Sequence, residues 1–444
     1  MLAKKQPLSA RNSTLRDCRL AAFAAVLGSG APLVAQVSEQ GSADTRNAAP
    51  AALRVQMLPS GANGVASSAG CIAMGDGSVR MIGGWRSTVE RPGVRLPAVW
   101  FENSAGISQP MTLPSGANGG LVNGVSVHGS DGDDLLIAGG TAFDDAARSQ
   151  PTVWLWGAQG FSRRTLPTPQ SRGGGGLSVA VGDVNGDGRI EIIAAGYSNH
   201  AGGGTRATVW FSSASDDFAT WYGYALPEPV FGDFRGSSAS YLKIELENVL
   251  ISSYQISGHA EMSDGSRLPV VWSSVDGTNW DALVLGENGA ARASVTDGLS
   301  NTLLVGEAVD SGTGKTMAAS WLANANGGSE ASFLALPSGR FDEGRANGII
   351  AILIGLLTAG DVSGPDGRAA AIWIHQDEIP LAINLNSLSS NRPLGTRLVT
   401  ANGLLPYVEQ SNVFAVVGDA VDARGRRMGY FAVANAEAVV ASQP

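Results

Sequence analysis

The chain has 444 residues, enough for a large core or several domains, and a formal net charge of −9 at neutral pH. Its 59 Gly, 44% apolar residues and only 16% charged residues suit tight turns between short strands, and they exclude long solvated helices and extensive disorder. An acidic balance argues against nucleic acid and anionic membranes as partners, since both need clustered basic charge. Neutral sugars, cations and basic proteins remain.

Residues 1–35 predict a secretory signal. Lys4, Lys5, Arg11, Arg16 and Arg19 form a basic region, 20–35 is apolar, and Leu33-Val34-Ala35 fits a small-residue cleavage site. Cleavage there would remove five of the 30 basic residues and one of the 39 acids, leaving a net charge of −13. Cys71 would then be the remaining cysteine, with no intramolecular partner, and its apolar run 70–74 predicts burial. Residues 36–52 are polar, small and aperiodic and are read as a flexible leader. The most apolar stretch of the body, 349–357, is too short to cross a bilayer as a helix and reads as a strand buried on both faces.

From residue 53 onward one pattern recurs. A short apolar run ends in Gly, a polar loop follows, and two small or branched residues precede a large aromatic. The glycines are Gly84, Gly140, Gly196, Gly258, Gly306, Gly360 and Gly418; the aromatics are Trp100, Trp154, Trp210, Trp272, Trp321, Trp373 and Phe431. A repeat of 48 to 62 residues indicates a propeller or an array. The second unit shows the layout: strands at 121–127, 135–139 and 151–156, then a fourth ending at Leu166-Pro167, with turn residues between them.

The fourth strands end in Leu-Pro at Leu58-Pro59, Leu113-Pro114, Leu166-Pro167, Leu226-Pro227 and Leu336-Pro337, where Pro suits an outer strand. LPSGANG occurs verbatim at 58–64 and 113–119, the mark of internal duplication. The first Leu-Pro precedes the first aromatic, so 53–58 is expected to supply the outer strand of the last blade, whose other strands come from 412–434. The expected fold is all-β: one seven-bladed β-propeller of four-stranded blades over 53–444, closed by that N-terminal strand. Blade 4 carries an extended strand pair near 238–257.

The stretch AVGDVNGDGRIEIIAAG at 180–196 resembles an FG-GAP repeat of integrin-like propellers, and the units written IAGG…TVW…LP resemble the HAF repeats of secreted bacterial proteins. Together these resemblances span about 54–434 and imply a secreted or cell-surface propeller with a binding role, without naming a ligand. Locally, 238–257 resembles a strand pair of type VI secretion tube proteins and 296–307 a segment of planctomycete pilin-like proteins. Both are matches of strand-turn-strand sequences and imply no function.

The sharpest metal signal is calcium. Asp183, Asn185, Asp187 and Glu191 stand at positions 1, 3, 5 and 9 of a loop with Gly186 and Gly188, and the carbonyl of Arg189 adds a ligand. Alternating oxygen side chains on a glycine turn converge on a hard cation; the plain alternative is an Asn/Asp/Gly hairpin turn. Gly75-Asp76-Gly77 and 131–134 occupy equivalent turns without the full ligand set. The residues following the seven repeat glycines are Trp85, Thr141, Tyr197, His259, Glu307, Asp361 and Asp419. Loops joining second to third strands share one face of a propeller, so these are expected around one mouth. There Trp85, Tyr197, His259, Glu307, Asp361 and Asp419 would bind a sugar by stacking and hydrogen bonding.

Three functions stay open: a secreted, non-catalytic module binding a glycan or an extracellular protein; a carbohydrate-active enzyme using a carboxylate pair of Glu307, Asp361 and Asp419; and a structural protein self-assembling through 238–257 or 36–52. SGTGKT at 311–316 is not a phosphate loop, because Val309 stands where a Gly is required. No HExxH or GxSxG occurs.

Overall fold

The computed structural model describes residues 53–59, 64–69, 80–103, 106–128, 135–168, 172–182, 189–200, 203–229, 232–246, 249–286, 288–296, 301–324, 327–375, 380–388, 392, 394–406 and 412–442. They form seven antiparallel sheets of four main strands arranged as a β-propeller, with almost no helix. In chain order the blades span 64–112, 120–165, 174–225, 233–284, 289–333, 343–384 and 397–435, and Leu53–Met57 pairs with Arg427–Asn435 as the outer strand of blade 7.

Each blade-to-blade contact is its own hydrophobic layer. One holds Leu58, Ile82, Trp100, Val417 and Phe431 of blades 7 and 1; another holds Met81, Val99, Val122, Val127 and Trp154 of blades 1 and 2. Alternate residues of a strand face opposite neighbours, so one strand feeds two layers. The repeat aromatics lie inside these layers: Trp100, Trp154, Trp210, Trp272 and Trp373 are fully buried. Their indole N–H groups reach across to the preceding blade, donating to the carbonyl oxygens of Pro59, Pro114, Pro167, Pro227 and Ala335 at 2.6–2.8 Å.

These bonds show what the Leu-Pro motif does. The Leu is buried at the foot of the outer strand, and the next residue lends its carbonyl to the neighbouring Trp. In blade 5 that pair is Leu334-Ala335, not the expected Leu336-Pro337: Leu334 is 2% exposed and donates its N–H to Ala318 O. There the outer edge is two short pieces, Gly327–Gly328 and Ser332–Phe333, so the chain reaches the blade interface before arriving at a Pro.

Two further expectations are corrected. The inner strand of blade 7 starts well before 412, at Arg397–Pro406. The apolar run 349–357 is not one strand: it crosses the turn between Glu343–Ile352 and Gly355–Gly364, where Leu353 is 69% exposed. Blade 4 carries the longest hairpin, Asp233–Leu246 against Val249–Glu261.

The repeat glycines also have a geometric reason. Every inner strand carries a β-bulge, and the residue just before it pairs with the repeat Gly: Ala66 with Gly84, Val122 with Gly140, Gly176 with Gly196, Gly236 with Gly258, Ala291 with Gly306, Ala346 with Gly360 and Ala401 with Gly418. At the last six, a Cβ would overlap a backbone carbonyl oxygen of the inner strand. Close approach beside a bulge therefore demands Gly there.

Candidate functional site

The residue after each repeat Gly inherits a fixed position, paired with the inner strand two residues before the bulge: His259 with Arg235, Glu307 with Ala290, Asp361 with Arg345, Asp419 with Thr400. These side chains stand beside the turns joining second to third strands, on one face around the channel. From blade 3 through blades 4 to 7 and on to blade 1 they form one chain of contacts.

The chain starts at Tyr197. The guanidinium of Arg235 lies over its ring, 5.0 Å from the centroid, and a Cβ on Gly175 would meet the ring from within its own blade. His259 follows. Burial lowers its pKa to about 4, helped by the neighbouring charges of Arg267, Arg292 and Arg235, so its imidazole is neutral at pH 7.

Glu307 comes next, its side chain 8% exposed, with three guanidinium groups on one carboxylate. Arg267 of blade 4 and Arg292 of blade 5 reach Oε1 at 3.2 and 3.1 Å, and Arg345 of blade 6 lies 2.9 Å from Oε2. Arg292 is itself the bulged residue of its inner strand. Asp361, 5% exposed, pairs with Arg368 at 2.6 Å and accepts a hydrogen bond from Asn347, the bulged residue of blade 6. Asn347 also donates to Ala401 O in blade 7, as the bulged Asn123 of blade 2 donates to Gly176 O in blade 3. The bulges thus supply both the channel's stitching and the partners of the carboxylates. Arg345, Asp361, Arg368 and, at the rim, Glu343 line a cleft of about 250 Å³.

Asp419 is the buried carboxylate without a short ion pair among the described residues. Desolvation pushes its pKa up to about 6, against the opposing pull of Arg427, Thr400, Arg368 and Asn402. The arc ends in a second cleft of about 390 Å³ between blades 7 and 1, where Trp85, Arg95, Arg426 and Arg427 face one another. Arg95 covers the Trp85 ring, 5.1 Å from the centroid. Blade 2 contributes only the buried Thr141.

Six of the seven post-glycine positions therefore share one arc. The stacking role changes, because both aromatic rings already carry a guanidinium on one face. The arginines are the residues that reading the repeat missed. They come from first strands, bulges and third-strand starts; Arg267, Arg368 and Arg427 share one signal, standing four or five residues before the repeat aromatic, and the first-strand arginines share none.

The calcium positions Asp183, Asn185 and Asp187 lie outside the described residues, as do 75–77 and 131–134. Arg189 and Glu191 are described. Glu191 pairs with Gly182 at the end of the first hairpin of blade 3 and accepts from Ser213 at 3.4 Å. This hairpin end lies on the face opposite the arc. Among the described residues no group of three or more His, Cys, Asp or Glu is arranged to hold a metal. SGTGKT lies in the turn between Thr302–Val309 and Thr316–Asn324, where Asp310 caps Gly312 N and Lys315 pairs with Asp342. No helix of the described residues is long and apolar enough to cross a membrane.

No family model matches the chain, and no curated protein matches it; the FG-GAP and HAF resemblances stand on the quoted residues alone. Solved structures of similar fold include Trypanosoma rangeli sialidase in complex with sialic acid, at 12% identity and a TM-score of 0.39, covering 76% of this chain and 56% of that one. A Hadza microbial sialidase aligns at 11% identity and TM-score 0.41, over 77% and 74% of the two chains. Fructan 1-exohydrolase IIa from Cichorium intybus aligns at 9% and 0.36, over 86% and 93%. The chain spans little more than half the length of the Trypanosoma rangeli sialidases it matches. At these identities and TM-scores the likeness carries no statement about activity.

Proposed function

We propose that the chain is a secreted, non-catalytic binding propeller that holds a glycan at the arc around its channel, with a structural calcium at Asp183, Asn185, Asp187, Arg189 and Glu191 in blade 3. The observation that carries the reading is the convergence of hydrogen-bonding side chains from blades 3 to 7 and blade 1 on one face. Hydroxyl-rich ligands are held by such groups. A protein partner is held chiefly by aromatic and aliphatic anchors entering pockets, and here Trp85 and Tyr197 are each covered by an arginine.

The non-catalytic part rests on the carboxylates. In most of its forms glycoside hydrolysis needs one carboxyl group free to give a proton and a second free to act on the sugar or water. Glu307 is enclosed by three guanidinium groups, and Asp361 by Arg368 and Asn347. One observation favours a catalytic alternative: Asp419, at about 6, sits in the range of a general acid.

Incubating the protein with a panel of neutral and acidic oligosaccharides, and reading retention and product release together, separates the two. Retention without hydrolysis is expected, with Trp85→Ala weakening it. Product release abolished by Asp419→Asn would replace this reading with the enzyme. Silence in both readouts would remove it.

A further inference from the structure

We infer that the saccharide bound at the arc is anionic, docked through carboxylate or sulfate groups on the arginines of blades 4 to 7. This deepens the glycan reading above and rests on it.

The charge balance along the arc is opposite to that of the chain. The whole sequence is acidic, at −9. On the arc, the six arginines Arg235, Arg267, Arg292, Arg345, Arg368 and Arg427 face four carboxylates, Glu307, Asp361, Asp419 and Glu343. Guanidinium groups stay protonated in proteins. Glu307 alone takes three of them, which leaves two positive charges uncompensated at that point. Arg235 and Arg427 make no ion pair among the described residues, and the Nε atoms of Arg235 and Arg292 are buried without a hydrogen-bond acceptor. Arg267, Arg292 and Arg345 remain 36–45% exposed, so their outer N–H groups are open to a ligand.

A fold that only needed to neutralise Glu307 would use one guanidinium. Three around a single carboxylate, with Arg235 over the neighbouring Tyr197 ring, form a cationic cluster whose planar donors match carboxylate and sulfate oxygens bidentately. Set in an acidic body, such a cluster draws in anions locally. It also disfavours basic ligands, contrary to the expectation from net charge. The covered rings fit the same picture: Arg95 over Trp85 and Arg235 over Tyr197 remove apolar stacking surface and replace it with charge.

The test is calorimetric titration of the protein with trigalacturonate, galactotriose, a sulfated galactotriose and a short poly-glutamate of matched charge, at low and high salt. Trigalacturonate or the sulfated trisaccharide is expected to bind about tenfold or more tighter than galactotriose. That preference should shrink as added salt screens the charges. The two acidic arms tell uronate from sulfate. Arg345→Ala is expected to weaken the acidic arm about tenfold while sparing the fold, since Glu307 keeps two arginines. Glu307→Gln, which removes a competing negative charge, should tighten it.

Galactotriose binding as well as trigalacturonate would overturn the anionic inference and leave the glycan reading standing. Poly-glutamate binding as tightly as trigalacturonate would overturn the saccharide assignment itself, and silence with every saccharide would overturn both. An Arg345→Ala protein that melts like the parent yet binds trigalacturonate unchanged would overturn the placement on this arc.

Discussion

At the scale of single residues, the repeat Gly and the repeat Trp do different work. The Gly makes room for a carbonyl beside a bulge. Gly360→Ala places a Cβ against Arg345 O, and overpacking of this kind costs about 1–3 kcal/mol. We expect a lower denaturation midpoint and, because Arg345 must shift, weaker ligand binding as well. The Trp acts through its N–H. Trp154→Phe keeps most of the ring but leaves Pro114 O without its donor, for which a loss of about 1–3 kcal/mol in urea denaturation is expected. Phe431 fills that place in blade 7 with no N–H to give, so Phe431→Leu should lose packing alone.

The histidines and Asp419 pull pH dependence in opposite senses. His259 and His375 are both held near 4, below the usual 6.5, by burial. Such groups contribute stability above the unfolded value that is lost as pH falls from 6.5 toward 4. Asp419 is raised from 3.8 to about 6, so its contribution is fully present below 3.8 and lost as pH rises through 6. Melting temperatures between pH 7 and 4 should therefore fall with acid in the parent. His375→Phe should flatten that fall, and Asp419→Asn should raise stability at pH 7. Protonating Asp419 also makes the arc more positive, so trigalacturonate affinity should increase from pH 7 to 5, and lose most of that increase in Asp419→Asn.

At the scale of elements, the blade is the unit that positions the site. In blades 5 to 7 the bulge of the first strand brings Arg292, Asn347 or Asn402; in blades 4 to 7 the second strand brings the Gly and a carboxylate or His; in blades 4, 6 and 7 the third brings Arg267, Arg368 or Arg427 at its start. No blade holds a complete subsite: Glu307 takes partners from blades 4, 5 and 6. The first hairpin of blade 3, which brackets the calcium positions, points to the other face. Chelation is accordingly expected to lower the melting temperature while leaving oligosaccharide affinity unchanged. If chelation also abolished binding, the separation of the two faces would be wrong.

For the whole molecule, seven interface layers replace one central core, and each layer depends on the blade on either side. Leu53–Met57 and Pro59 serve two layers at once: Leu53 and Val55 lie in the blade 6–7 cluster, and Pro59 O accepts from Trp100 in blade 1. Deleting 53–59 should expose the Arg427–Asn435 edge and take the acceptor from Trp100. The expected result is a broadened, lower melting transition and concentration-dependent aggregation, measurable by scanning calorimetry and sedimentation.

The sequence by itself determined the number of blades and the places of the channel-side residues. A repeat of Gly and aromatic is local, and the period-two alternation around Gly140 or Gly360 reads directly as strand. It also marked the buried Leu of most outer strands. It failed at Leu336-Pro337, where the motif is present but the chain turns in two residues earlier, because burial at the blade interface, not the Pro, selects the position. Only the tertiary structure decided the character of the mouth. Arg267, Arg292 and Arg345 are far apart in sequence and sit on three blades, and nothing in a linear reading shows that they meet on Glu307. Net charge is a sum over the chain and carries no position, so an acidic total concealed a cationic centre. Charge acts through distance, and the ring closes those distances.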